Sequence, residues 1–311
     1  MPGIGIIVNP HSRDHKLDPS KAERLGFIVG DKGSCHTTKD INEVEKLARD
    51  FKNHKIEILG ISGGDGTNHA TLTTFLKVYG NDPLPKIVFL RGGTMNLLAN
   101  CLQIKGAPEK ILSNLILTYH EDKPFKETEL NMLKVNNLYG FLFGTCAVSN
   151  FMNKYNSRKN GDPTPWRAFK LLSKTTLSAL FNTNFSLRLF ERVDVKITVD
   201  GKPAPFKNYN LIIAGTIEEL GFGFKPLYNA RKEHGKFHML SASTTPRKLL
   251  STLPHTFFSS LPKSEDFFDV CASNVTIEFE KPFEYTVDGD MPEPSTKIEI
   301  STGPKLKVII A

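Results

Sequence analysis

The sequence Ile58–Thr67, which reads ILGISGGDGT, constrains the fold of this chain more than any other feature. An apolar run typical of a buried strand ends in a glycine-rich turn, and a helical pattern, Asn68–Tyr79, follows directly. Glycine lets the backbone turn tightly and approach a ligand with no Cβ in the way. Because successive N–H groups and a helix N-terminus then point at one place, the turn suits a phosphate group. The alternative is an ordinary strand-to-helix turn whose aspartate caps the helix.

Asp65 lies in the middle of this turn and has the wrong charge to bind phosphate directly. A carboxylate at such a position is suited to a Mg²⁺ ion or to accepting a proton. Asp65 is therefore a candidate for either role.

A second glycine-rich turn, Arg91–Asn96 (RGGTMN), follows the strand-like Lys86–Leu90 and precedes another helical pattern. Open α/β sheets bind ligands at the carboxyl ends of their parallel strands, so two such turns would line one crevice. Thr94 and Asn96 offer a hydroxyl and an amide, and Arg91 offers positive charge. Neither turn has the lysine of a Walker A motif, and neither reads GxGxxG.

Strand and helix patterns alternate through the first third of the chain. Asp40–His54 is an amphipathic helix, with Asp40 as N-cap and Glu43 three residues later. Alternation of this kind predicts a parallel sheet covered by helices on both faces. The strand-like apolar runs are Gly3–Asn9, Gly26–Gly30, Ile56–Ile61 and Lys86–Leu90, and Ala107–His120 is a further helix.

The pattern changes near Lys126, where alternating strands take over. Val193–Val199 alternates apolar and polar residues, and Asp200-Gly201 supplies a hairpin turn. Lys297–Ser301 and Lys305–Ile310 are predicted as two closing strands of an antiparallel sandwich. We therefore predict an α/β domain over residues 1–125 and a β-sandwich domain over residues 126–311.

Two segments interrupt the strand pattern. Trp166–Phe181 and Pro246–Leu261 combine large apolar residues with basic ones, among them Lys170, Lys174 and Arg247. Both are candidate interfacial helices for a membrane surface. The alternative is that they cap the core of the sandwich, as amphipathic surface helices commonly do.

Composition narrows the class of protein further. The chain has 311 residues and a net charge of +7, a modest basic excess that suits anionic partners. Its four cysteines are scattered with no CxxC pair, which argues against zinc and redox sites. We see no basic and apolar leader and no apolar run of the roughly 18 residues that cross a bilayer. These features predict a reduced, cytosolic protein.

The two turns together resemble the diacylglycerol kinase catalytic-domain superfamily, in which GGDGT is followed about 25 residues later by GT-x-N. The closest resemblance is to the soluble bacterial-type lipid kinases, which are related to sphingosine and ceramide kinases. Val8-Asn9-Pro10 with Ser12 matches an NP-x-S element near the nucleotide, and Thr38 lies where the family has a nucleotide-contacting threonine. Val287–Asp290 (VDGD) matches a late DG(E/D) element.

The resemblance implies an α/β nucleotide-binding domain, a β-sandwich lipid-substrate domain and an active site in the cleft between them. It implies an ATP-dependent kinase that phosphorylates a hydroxyl of a membrane lipid: diacylglycerol, a sphingoid base, ceramide or similar. Asp65 and Asp288 would serve the Mg²⁺ ion, and Asp290, or alternatively Asp65, would act as general base. The residues implied to hold ATP are Asn9, Ser12, Thr38, Gly63, Gly64, Gly66, Thr67, Arg91, Gly93, Thr94 and Asn96.

The implied partners are the lipid substrate and, transiently, an anionic membrane surface, with no nucleic acid. The protein would be cytoplasmic and peripherally associated with the membrane, and the sequence does not indicate its oligomeric state. His234-Gly235 stands where the family often has an acidic residue before glycine, and His234 is either a metal ligand or a surface histidine. Two further readings stay open: a kinase similar to NAD kinases, which share the GGDG turn, and a non-catalytic nucleotide- or lipid-binding module.

Overall fold

The computed structural model describes residues 3–93, 96–157, 164–262 and 264–311, and it divides into two compact units. The first unit comprises Met1–Leu130 together with Lys305–Ala311, and the second comprises Asn131–Pro304. The predicted domains, 1–125 and 126–311, and the predicted cleft between them remain predictions. The sequence pattern did not indicate that the last residues of the chain return to the first unit.

The first unit is built on a parallel sheet. Its strands are β1 (Ile4–Val8), β2 (Gly33–Thr37), β3 (Ile58–Gly63) and β4 (Lys86–Arg91), in the order β4-β3-β1-β2. Every residue of β1 and β3 is buried, as expected for central strands covered on both faces. Its helices are α1 (Arg13–Leu17), α2 (Lys21–Val29), α3 (Ile41–Asn53), α4 (Asp65–Tyr79), α5 (Leu97–Cys101) and α6 (Pro108–His120).

Local sequence explains where helix α3 begins. The Asp40 side chain accepts hydrogen bonds from the backbone N–H groups of Asn42 and Glu43, and Glu43 accepts one from Lys39 N. This reciprocal capping is what the spacing predicts.

The strand-like interpretation of Gly26–Gly30 is wrong: Gly26–Val29 completes α2, which buries Leu25 and Val29 on one face. Two apolar residues four positions apart fit a helix as well as a strand.

The second unit contains two antiparallel sheets. One has five strands, in the order β13 (Phe267–Ala272), β12 (Phe237–Ala242), β11 (Leu211–Gly215), β7 (Leu142–Cys146) and β15 (Tyr285–Val287). In the other, β14 (Asn274–Phe283) pairs with β8 (Val193–Val199) and with the first part of β16 (Ser295–Ile309). The predicted fold class, a parallel α/β sheet followed by antiparallel sheets, is confirmed. The remaining strands are β5 (Glu127–Val135), β6 (Leu138–Gly140), β9 (Lys202–Pro203) and β10 (Asn208–Tyr209).

The core of the second unit lies between these sheets. The alternation in β8 places Val195 and Ile197 in the core, together with Ile277 from β14 and Phe143 from β7. The Asp200-Gly201 turn, with both residues at positive φ, joins β8 to β9 as predicted.

The two predicted closing strands are instead one long strand, β16. Gly303-Pro304 does not interrupt it, because the fixed φ of proline is compatible with extended backbone. The last part of β16 lies parallel to β4 in the first unit, with Val308 opposite Ile87.

The second unit also carries helices α7 (Ala147–Asn156), α8 (Pro165–Leu180), α9 (Asn184–Leu189) and α10 (Pro246–Phe257). They account for both segments that interrupt the strand pattern, although α10 ends four residues before Leu261. Of the helices that the structure describes, none has both the length and the apolar character required to cross a membrane.

Candidate functional site

The first glycine-rich turn joins β3 to α4. Gly63 is the last residue of the strand, Gly64 is the N-cap, and Asp65 is the first residue of the helix. Gly64 O accepts the first helical hydrogen bond, 3.0 Å from Asn68 N. The alternative of a turn capped by its aspartate does not apply, because the N-cap position belongs to a glycine. Asp65 instead places a negative charge in the first turn, where the helix dipole favours it.

The second turn packs directly on the first. Gly92 N donates a 3.0 Å hydrogen bond to Gly63 O. A Cβ added to Gly93 would lie 2.3 Å from the Cα of Gly64, so only glycine permits this approach. A Cβ on Gly66, in contrast, would meet no atom of the described residues within 4 Å. The two turns therefore converge at one edge of the sheet, and no described residue fills the space beside Gly66 at the start of α4.

The turn after β1 lies at the same edge. Asn9 Nδ2 donates to Thr67 Oγ1 at 2.8 Å, and Asn9 N donates to Ser62 O at 2.9 Å. The Asn9 Oδ1 atom accepts from His11 N. Thr38, at the end of β2, is buried and donates from its backbone to Val8 O. Asn9 and Thr38 thus lie at the strand ends that carry the glycine turns.

Asn96 and Arg91 are engaged with their own chain. Asn96 has a φ of 50°, and its amide bonds to both Gly93 N and Gly93 O, at 3.0 and 2.9 Å. Arg91 donates to Asn100 Oδ1 and Ile104 O. Asn96 therefore shapes the second turn, and a phosphate contact by Arg91 would use its other guanidinium nitrogen atoms. Thr94 lies outside the described residues.

Buried polar atoms surround these turns. Ser12 Oγ, His15 Nδ1 and Asn68 Oδ1 are buried and have no hydrogen-bond partner among the described residues. Native proteins leave few such atoms without a partner, and a bound ligand or water commonly supplies one. Ser12 is the only one of the three that the sequence analysis selected.

His15 is the residue that the sequence analysis missed. It is 2% exposed, and its Nε2 lies 2.9 Å from Ser62 Oγ, one residue before Gly63. Burial, aided by the positive charge of Lys21, lowers the pKa of His15 below its usual value. Its helix α1 has five residues, too few for periodicity to reveal a buried face.

The late acidic turn lies in the second unit. Val287 and Asp290 exchange backbone hydrogen bonds of 3.0 Å around Asp288 and Gly289, which both have positive φ. The Asp288 carboxylate accepts from two backbone N–H groups, Phe141 N at 3.0 Å and Leu142 N at 2.8 Å. Asp288 therefore fastens the turn to the start of β7, and its role toward magnesium stays a prediction. Asp290 is exposed beside it.

His234 lies in an exposed turn, and the described residues contain no group of three His, Cys, Asp or Glu that could hold a metal. Four residues further on, His238 is fully buried, with Nε2 2.5 Å from Asp269 Oδ1. Tyr228 donates to the other carboxylate oxygen. Burial raises the pKa of Asp269, but the hydrogen bonds from His238 and Tyr228 outweigh this effect, and the pKa is lower than usual.

The fold and this edge of the sheet define the class: an α/β protein with two converging glycine turns suited to a phosphorylated ligand. Residues 4–123 match the family model of the diacylglycerol kinase catalytic domain. This match lies within the first unit and supports a relation of that part of the chain to the diacylglycerol kinase catalytic-domain superfamily. A search of curated proteins gave no significant match.

Solved structures share the fold. A diacylglycerol kinase from Bacillus anthracis str. Sterne is 18% identical, with a TM-score of 0.68 over 99% of this chain and 96% of that one. A structure provisionally assigned as a diacylglycerol kinase, from the same organism, is 19% identical, with a TM-score of 0.72 over 99% and 96% of the two chains. Another so assigned is 18% identical, with a TM-score of 0.69 over 99% and 97%.

Proposed function

We propose that this protein is a lipid kinase that transfers the γ-phosphate of ATP to a hydroxyl group of a membrane lipid. The observation that carries the proposal is the backbone contact between Gly64 and Gly93 within a diacylglycerol kinase catalytic domain. It joins two glycine turns and a helix N-terminus at one sheet edge, an arrangement suited to phosphate groups.

The residues at this edge fit ATP. The backbone of the two turns and the start of α4 would meet the phosphates, since Gly66 leaves open space there. Ser12 Oγ is a buried hydroxyl with no partner among the described residues, and Asn68 Oδ1 is a buried acceptor of the same kind. Both supply polar groups that a bound nucleotide would satisfy. Two further predicted ligands, Asn9 and Thr67, bond to each other and hold the edge together.

The same residues fit a magnesium ion that arrives with the nucleotide. Mg²⁺ usually keeps several waters and takes one or two carboxylates together with substrate phosphates. Asp65, at the first turn of α4, is the carboxylate that would hold it. When bound, the ion neutralises charge on the phosphates.

The acceptor hydroxyl needs a group that takes its proton, and a positioned carboxylate supplies this. Asp290 and Asp65 are the two candidates. The exposed position of Asp290, on a turn that Asp288 anchors, suits a carboxylate that meets an incoming substrate. We propose Asp290 as general base and Asp65 as the magnesium ligand.

The proposed acceptor is a diacylglycerol, a sphingoid base, ceramide or a similar lipid alcohol. Such lipids reside in membranes, so the protein would act from the cytoplasm as a peripheral enzyme. An NAD kinase-like activity and a non-catalytic binding role have no specific support in the structure, and the experiment below distinguishes them.

The test is incubation of the purified protein with γ-labelled ATP, Mg²⁺ and vesicles that contain diacylglycerol, sphingosine or ceramide, with NAD in a separate reaction. We expect label in a lipid, and about 10²–10⁴-fold slower labelling with the Asp65→Asn variant. Nucleotide binding is measured in parallel by calorimetry. Binding of ATP with no labelled lipid would overturn the proposal in favour of a binding module, and labelled NADP would favour an NAD kinase.

A further inference from the structure

Helix α8 exposes large apolar side chains and buries small and polar ones, which is the reverse of an ordinary surface helix. Its buried side chains include Thr175, Ser178 and Ala179, whereas Trp166 is 63% exposed and Phe169 50%. Leu177, Leu180 and Phe181 are also exposed, at 60%, 48% and 70%. A helix that caps a core buries its apolar stripe and exposes its polar one. The interpretation of α8 as a cap of the sandwich core therefore does not account for its outward face.

Hydrogen bonds fix this orientation. Thr175 Oγ1 donates to Leu171 O at 2.8 Å, and Ser178 Oγ accepts from Ser186 N at 2.9 Å. Ser186 Oγ donates in turn to Ser178 O at 3.0 Å. Because rotating α8 would leave the buried groups of Ser178 and Ser186 unpaired, their pairing holds the apolar side of α8 outward.

Helix α10 adds exposed aromatic residues at its end. Thr252 and Thr256 are buried and donate to backbone carbonyls within the helix, whereas Phe257 and Phe258 at its end are 49% and 83% exposed. The two helices are in contact, and Arg247 Nε donates to Leu180 O at 2.8 Å. We call the exposed face of α8 and α10, with Phe181 and Phe258, the aromatic surface. Exposed apolar patches of this kind mark sites of interaction.

The segments that form the aromatic surface carry charge of one sign. Residues 164–190 and 245–262 contain six lysine and arginine residues and no aspartate or glutamate. Lys248 is paired with Asp266, but no carboxylate of the described residues lies within ion-pair distance of Lys170, Lys174 or Arg188. Lys170 Nζ lies 5.4 Å from the centre of the Trp166 ring. Lysine beside an exposed aromatic ring is the combination that bilayer interfaces favour.

A pocket of basic character adjoins α8. It has a volume of about 410 Å³ and is lined by Asn150, Asn153, Lys154, Ser157 and Arg188. Lys154 of this pocket and Lys174 of α8 both lie over the ring of Phe185, at 5.2 and 4.6 Å. The amides of Asn150 and Asn153 already donate to Leu189 O and to the Glu284 carboxylate, so the cationic donors Lys154 and Arg188 are the groups that suit the phosphate of a lipid headgroup.

We infer that the aromatic surface of α8 and α10 docks on a bilayer rich in anionic lipid, with Trp166, Phe169, Phe181 and Phe258 entering the interface and the lysines meeting headgroup phosphates. A second copy of the chain is the less suitable occupant, because a symmetric contact would bring the same unpaired cations face to face. The inference deepens the proposed function by naming the surface that would meet the lipid phase, but its test requires no turnover.

The test is flotation of the whole protein, without ATP, with vesicles of phosphatidylcholine alone and of phosphatidylcholine mixed with phosphatidylglycerol. We expect strong binding to the anionic vesicles, weakened by salt, and weak binding to neutral ones. The combined change Trp166→Ala, Phe169→Ala and Phe181→Ala should lower the affinity about tenfold or more. Lys170→Glu with Lys174→Glu should lower it by about as much, on anionic vesicles alone.

Matched controls come from the first unit. Phe27 is 88% exposed on α2, and Lys46 is exposed on α3, so Phe27→Ala and Lys46→Glu should leave vesicle binding unchanged. Circular dichroism and thermal melting verify that every variant folds. Equal binding by wild type and the triple aromatic variant would overturn the inference. So would wild-type self-association that the triple variant abolishes, since the occupant would then be a second copy.

These experiments distinguish a failure of the docking inference from a failure of the proposed kinase activity. Asp65→Asn should float with anionic vesicles as the wild type does while losing turnover. Loss of turnover on every lipid with vesicle binding intact would overturn the kinase proposal alone. Turnover on detergent-dispersed lipid without vesicle binding would overturn the docking surface alone.

Discussion

The side chain of Asn9 donates a 2.8 Å hydrogen bond to the Thr67 hydroxyl, and so ties the turn after β1 to the first turn of α4. These residues are 58 positions apart in the chain. Their hydrogen bond connects two of the turns that we propose to hold the nucleotide. It also leads to the first prediction, because a bond between two side chains can be isolated by removing each partner in turn.

We predict that Asn9→Ala and Thr67→Val each lower ATP affinity and that the double variant loses less than the sum. The coupling in the free energy of unfolding should be about 0.5–1.5 kcal/mol, the net value of one hydrogen bond. Urea unfolding of the four proteins measures the coupling, and titration calorimetry measures the affinity. Strict additivity would show that the bond contributes nothing.

The glycine turns lead to a second prediction, which separates folding from binding. Gly93→Ala places a methyl group against Gly64 and should cost about 1–3 kcal/mol of stability. In Gly66→Ala the added methyl group would contact no atom of the described residues. The change should leave stability unchanged or raise it by up to about 1 kcal/mol, yet weaken ATP binding. Gly26→Ala, in helix α2, is the control for both measurements. Normal ATP affinity in Gly66→Ala would exclude this space from the nucleotide site.

The third prediction concerns Asp65. Asp65→Asn removes the charge with little change of volume, so the fold should persist while phosphoryl transfer falls by about 10²–10⁴-fold. If Asp65 holds magnesium, the variant should bind ATP without Mg²⁺ as the wild type does and lose the Mg²⁺-dependent part of the affinity. Turnover near the wild-type rate would remove Asp65 from the mechanism.

The two aspartates of the late turn should differ in their effects. Asp288→Asn replaces an acceptor of two backbone N–H groups with an amide and should cost about 1–3 kcal/mol of unfolding free energy. Asp290→Asn, at an exposed position, should change stability by less than about 0.5 kcal/mol and lower kcat by about 10²-fold or more. Chemical unfolding and steady-state kinetics on both variants give the comparison, and unaltered kcat in Asp290→Asn would assign the base elsewhere.

The fifth prediction concerns buried His15: the free energy of unfolding should depend on pH. Since burial lowers its pKa in the folded protein, the unfolded chain binds the proton first as the pH falls. The contribution of His15 to stability is therefore complete above its unfolded pKa, about 6.5, and declines below it. Urea unfolding at pH 7.5 and 5.5 should show a smaller loss for His15→Gln than for the wild type. An equal loss in both proteins would contradict the prediction.

Local patterns sufficed for much of the architecture. The run ILGISGG followed by a helical pattern predicted β3 and α4, and the alternation from Val193 to Val199 predicted β8 and the residues that share one of its faces. Short or interrupted patterns were less reliable. Gly26–Gly30 completes a helix, and Gly303-Pro304 lies inside one continuous strand, because neither signal excludes the other conformation.

The amino-acid sequence by itself determined the element types and the two glycine turns, since backbone geometry and hydrophobic periodicity act between near neighbours in the chain. Only the tertiary structure decided which distant groups meet. It brought Gly93 against Gly64, buried His15 beside Ser62, tied Asp288 to the backbone of β7 and turned the aromatic side of α8 outward. Each of these depends on packing between elements far apart in sequence, which no local pattern encodes.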